Sequence, residues 1–164
     1  MQTDETQEWP EEEVALGLEG WQTSTIAKLV TIWAAILTIL RGKQIKIYTD
    51  SNAAIRNISR GLEQVCRDKI LKKKNAIWIM KIRELIKTKN IQIELVKVKS
   101  HSKNRWNDKA DSLAKKGTTS EEIIQAGKVS CEEVEYCLEW ENKRTDIPAR
   151  LLCKLIMNAR LGAK

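Results

Sequence analysis

The sequence predicts an α/β domain with a mixed sheet flanked by helices, and three observations carry that expectation. Two short segments, QIKIYTD and IQIELVKVKSH, alternate apolar and polar residues as strands do. Longer segments between and after them repeat apolar residues at helical spacing, and Gly42, Gly61 and Gly117 follow three of these where a helix would stop. The resulting order, strand–helix repeated three times, favours a sheet packed against helices over a bundle or a sandwich.

Taken along the chain, residues 1–13 form an acidic lead containing Pro10. VALGLEGW (14–21) reads as a strand ending at Gly20. TSTIAKLVTIWAAILTILRG reads as a helix, with Ser24 or Thr25 as its cap and one apolar stripe of Ile26, Leu29, Val30, Trp33, Leu37 and Leu40. QIKIYTD is a strand that ends on Asp50, and SNAAIRNISRG is a short helix stopped by Gly61. Residues 62–89 give one or two helices around KKKN, the second carrying Ile77, Met80, Ile82 and Leu85. IQIELVKVKSH shifts phase between Leu95 and Val96, which suggests a bulge. NDKADSLAKKG is a helix ending at Gly117, Glu121–Ala126 a short helix, and DIPARLLCKLIMNARL a later one beginning at Pro148. The expected organisation is a lead at 1–13, a domain at 14–117 and a helical extension at 118–164.

Composition narrows the function classes. The 164 residues carry 31% charged and 42% apolar side chains, a balance suited to a globular chain. No segment approaches the roughly 18–20 apolar residues of a membrane span. The acidic N-terminus lacks the pattern of a signal peptide, so an intracellular setting is expected, with nucleus and cytoplasm not distinguished. Four cysteines without a C-x-x-C pair, and one histidine, His101, argue against zinc and for buried, reduced thiols. Charge is segregated: residues 1–20 hold seven acids and no Lys or Arg, whereas residues 67–116 hold sixteen Lys or Arg against five acids. Such a block suits a polyanionic partner, although solvated helix faces would look the same from charge alone.

In an open α/β sheet, functional groups gather beyond the strand ends. Asp50 ends one strand, His101 follows the next, and Asp111 lies in the helix after it. Two carboxylates meeting in space suit Mg²⁺, which takes oxygen ligands, and a pair of such ions suits phosphodiester hydrolysis. A loop histidine beside them could relay protons. Asp50 has a plainer reading as the cap of the helix beginning near Asn52, and Asp108 as an early-helix acid favoured by the helix dipole. Most of the six Trp residues suit the core, while Trp106 flanks the histidine loop.

The segments STIAKL, IYTDSNAAI and VKVKSHSKNRWNDKADSLAKKG resemble the type 1 ribonuclease H domain of the kind attached to retrotransposon reverse transcriptases. With the helices between them they span about residues 14–117. The resemblance implies a ribonuclease H-like mixed sheet flanked by helices, and Mg²⁺-dependent hydrolysis of the RNA strand of an RNA–DNA hybrid. It implies metal-ligand positions at Asp50 and Asp111 and a turnover-assisting histidine at His101. It also implies hybrid contacts at Ser24, Thr25 and Asn52, with the basic stretch Lys72, Lys73 and Lys74 as a further nucleic-acid contact. Asn107 belongs to the same motif. An upstream reverse-transcriptase segment is an implied partner.

Two departures stand out. The family's first two strands, which carry its first Asp, have no counterpart before Val14. The family's Glu, within Ala-Glu-Leu of the first helix, is replaced by Ala27-Lys28-Leu29. Periodicity alone sets Lys28 about 135° from the centre of the apolar stripe, hence toward solvent. The resemblance instead puts it where a carboxylate should bridge metals, and from there it could pair with Asp50 and Asp111. The expected function is therefore that of a ribonuclease H with impaired or absent hydrolysis, the alternatives being a non-catalytic nucleic-acid-binding remnant or a non-functional fragment.

Overall fold

A computed structural model describes residues 13–19, 23–64, 70, 74–99, 105–125, 138–140, 143–145 and 149–162. In chain order these form β1 (Gly17–Glu19), α1 (Ser24–Thr38), β2 (Gln44–Thr49), α2 (Asn52–Glu63), α3 (Ala76–Lys89), β3 (Gln92–Lys97), α4 (Arg105–Gly117), β4 (Ile123–Gln125), β5 (Leu138–Trp140), β6 (Lys143–Thr145) and α5 (Ala149–Gly162). The expected α/β class is observed. Among the described residues its strands form three two-stranded pairings: β2 with β3 and β1 with β4 in parallel, β5 with β6 antiparallel.

The β2–β3 pair organises the molecule. Its register runs without interruption from Gln44 opposite Gln92 to Thr49 opposite Lys97. The expected bulge is absent: every residue from Gln92 to Lys97 has one partner on β2, although Leu95 and Val96 are both half-buried. Ile45, Ile47, Ile93 and Leu95 turn one face toward the core formed by α1, α2 and α3. Gln44, Lys46 and Tyr48 occupy the opposite, exposed face, where Lys46 reaches Glu94 across the strands at 3.1 Å.

Helix α1 begins at Thr23, whose hydroxyl accepts from the Ile26 N–H at 3.2 Å, so the cap is Thr23 rather than Ser24 or Thr25. Its buried residues are Ile26, Leu29, Val30, Ile32 and Ile36. Leu37 and Leu40, expected in the stripe, are exposed: the helix ends at Thr38, and the 3.6-residue repeat carries Ile36 rather than Leu37 onto the packed face. Beyond that end, the Lys89 ammonium donates to the carbonyls of Ile36, Leu37 and Ile39 at 3.1, 2.6 and 2.7 Å. A cation from α3 thus satisfies carbonyls that α1 leaves unpaired.

Helix α3 is buried over most of its circumference. Trp78, Ile82 and Ile86 join the main core, where Trp78 meets Trp33 edge to face at 5.6 Å, while Ile79 and Met80 form a second cluster with Ile70. Of the apolar residues expected on this helix, Met80 and Ile82 are buried on two different sides, in the second cluster and the main core. Gly61 does not stop α2, which continues to Glu63. A Cβ at Gly61 would lie 2.3 Å from Ile79 Cγ2, so the glycine serves the close approach of α2 to α3.

Within the described part of the expected 14–21, the first strand spans Gly17–Glu19, with Gly20 and Trp21 outside the described residues, and residues 123–125 are a strand paired with it, not part of a helix. Gly117 closes α4 as expected, and a Cβ there would lie 2.6 Å from the Leu16 carbonyl. Cys153, on α5, is exposed rather than buried; Cys66, Cys131 and Cys137 lie outside the described residues. No helix among the described residues is long and apolar enough to cross a membrane.

Candidate active site

The end of β2 is shaped by two short-range hydroxyl contacts. The buried Thr49 accepts from the Ser51 N–H at 3.2 Å, and Ser51 accepts from the Ala54 N–H at 3.2 Å. Ser51, not Asp50, therefore caps α2. That leaves the Asp50 carboxylate free to face other elements, and the cap reading of Asp50 does not hold.

The group it faces is Lys28. The ammonium lies 3.0 Å from Asp50 Oδ1, with the two side chains 39% and 21% exposed. Lys28 sits on the flank of α1, and its long stem carries the charge along the helix surface to the strand end, so it is not simply solvent-facing. Oδ1 is closed off from solvent and has no aligned hydrogen-bond donor. The Lys28 ammonium, 3.0 Å away, is the group that compensates this closed-off oxygen. The Lys28 ammonium holds the Asp50 carboxyl below the usual carboxylate range, against a partial burial that pushes it up, and Lys97 adds a smaller pull downward. Lys97 is the last residue of β3, directly opposite Thr49, and its ammonium donates to the Asp50 backbone carbonyl.

Asp111 is half-buried on α4, where Asn107 Nδ2 donates to its Oδ2 at 3.5 Å, one turn apart. The ion pair of Lys28 forms with Asp50; no contact of Lys28 with Asp111 accompanies it among the described residues. Ser24 is exposed and Thr25 half-buried in the first turn of α1, with Ser24 one turn before Lys28. Asn52 is exposed at the start of α2, and its carbonyl accepts from Arg56 Nε at 3.3 Å. Lys74 is exposed in the turn before α3. His101, Lys72 and Lys73 lie outside the described residues. Trp106 is 58% exposed, with Arg105 Cζ at 5.3 Å and Lys109 Nζ at 5.8 Å from its ring centre.

Among the described residues, the donor set does not fit Mg²⁺. Among the described residues, no three His, Cys, Asp or Glu side chains come close enough to share a metal ion. The nearest charge to the Asp50 carboxylate is itself a cation. Two unit charges about 4 Å apart interact by about 4 kcal/mol at an effective dielectric near 20, so a divalent ion beside Lys28 would meet roughly twice that repulsion. Lys97 escaped sequence reasoning, though the signal was available: two parallel strands of equal length put their last residues side by side, and KVKSH puts a lysine there.

The family model for RNase H matches residues 4–119, well over half of the 164 residues. The match contains both Asp50 and Asp111 and reaches ahead of the described residues. No curated protein sequence matches the chain. The motif order, the α/β architecture and this match agree, and the chain belongs to the ribonuclease H family.

Proposed function

We propose that this ribonuclease H-family domain binds RNA–DNA hybrid while its hydrolysis is impaired or absent. Members of the family act on such hybrids and generally use divalent metal ions for hydrolysis of the RNA strand. The observation that carries the reading is the Lys28–Asp50 ion pair at 3.0 Å, an ammonium against a carboxylate at a metal-ligand position of the family. The resemblance assigns Lys28 to the place of the family's Glu, and a cation there opposes the metal that the family's chemistry requires. Binding draws on a different feature. The excess of Lys and Arg over residues 67–116 favours polyanions through counterion release, with Lys74, Ser24, Thr25 and Asn52 as contacts on the described surface. The retrotransposon setting, with a reverse-transcriptase segment upstream, is part of the same proposal.

The test uses an end-labelled RNA–DNA hybrid with the protein in Mg²⁺ or in EDTA. Hybrid binding without EDTA-sensitive cleavage is the expected outcome. Cleavage that EDTA abolishes, and that Asp50→Asn abolishes too, would establish a working enzyme and refute the impairment.

A further inference from the structure

We propose that Lys28 and Lys97, held at the end of β2 by Asp50, form a metal-independent site for a backbone phosphate of the bound hybrid. This rests on the hybrid-binding reading above. Two ammonium groups converge on one residue: Lys28 on the Asp50 carboxylate, Lys97 on the Asp50 carbonyl. They arrive from different elements, α1 and β3, so the fold rather than local sequence brings them together. One carboxylate cannot neutralise both, and the three groups together leave an excess positive charge.

Exposure decides which sign an approaching polyanion meets. The Asp50 side chain is 21% exposed and Lys28 39%, while Lys97 is an exposed residue. The ammonium groups therefore lie outward of the carboxylate. A phosphate oxygen can accept from either ammonium without displacing Asp50, because each –NH₃⁺ has three donors and the contacts above use few of them. Asp50 acts here as a positioning residue, fixing two flexible stems that would otherwise lose rotamer freedom on binding.

Binding of the hybrid, followed by fluorescence anisotropy over a KCl series in Mg²⁺ and in EDTA, tests this on the full chain. The expected affinity does not depend on a divalent ion beyond the ionic strength it adds. Lys28→Gln and Lys97→Gln each weaken binding and lower the magnitude of the log Kd against log salt slope by about 1. Lys28→Arg keeps the wild-type slope. Circular dichroism melts confirm that each variant is folded. If the wild type fails to bind hybrid even at low salt, the hybrid-binding reading falls, and this inference with it. If the wild type binds but EDTA abolishes binding, or both glutamine variants keep the wild-type slope, the phosphate site alone is refuted.

Discussion

Asp50 is a carboxylate whose charge is held by a lysine, and its pH behaviour follows from that. Its folded-state pKa lies below the ordinary value of 3.8, chiefly through Lys28. The ionised form therefore stabilises the fold at every pH above about 4, and that contribution fades as pH falls through the depressed folded value. Because Lys28 is more than a third exposed, solvent screening limits the pair to no more than about 1 kcal/mol. Lys28→Met is expected to lower the urea midpoint at pH 7 and to converge on the wild-type midpoint as the buffer is taken well below pH 4. A gap of equal size at pH 7 and at the acid end would show that lost packing of the lysine stem, not its charge, is responsible.

At the scale of elements, two helix contacts depend on single residues. Lys89 closes the C-terminal end of α1 with three donated hydrogen bonds, matching a cation to the negative end of the helix dipole. Lys89→Met removes these donors and is expected to cost about 1–3 kcal/mol in chemical denaturation; a loss below a few tenths would mean that water replaces the ammonium fully. Gly61→Ala forces a methyl toward Ile79 Cγ2, on a β-branched side chain with little rotamer freedom, and is expected to destabilise by about 1–3 kcal/mol. Combining it with Ile79→Ala should cost less than the two separate losses summed, and strict additivity would show that the two residues do not press on each other. These elements also show where sequence reading succeeds and fails. The strand ending at Asp50 and the α1 core from Ile26 to Trp33 were legible because alternation and helical repeat are local properties. Gly61 was read as a stop because a glycine required by a neighbouring helix looks, in one dimension, like a glycine that ends its own. The strand at 123–125 owes its conformation to pairing with Gly17–Glu19, more than a hundred residues away, and no local pattern announces it.

For the whole molecule, the family was legible from motif order, since IYTDS and ADSLAKKG stand in the sequence as ribonuclease H would have them, and the RNase H match over residues 4–119 agrees. What one dimension could not decide was the partner of Asp50. Periodicity sent Lys28 to solvent, while the motif sent it to the metal site, and only the packing of α1 against the end of β2 brings ammonium and carboxylate to 3.0 Å. The protein carries a net charge of +7, and hybrid binding is expected to weaken steeply between low and high salt, with a slope that reports the number of phosphates neutralised. The most direct measurement is a single reaction in which labelled RNA–DNA hybrid is incubated with the protein in Mg²⁺, and bound fraction and cleavage are read from the same samples. Hybrid bound to saturation with the RNA strand intact, and EDTA changing neither, is the expected result. Cleaved RNA in Mg²⁺ and intact RNA in EDTA would contradict it.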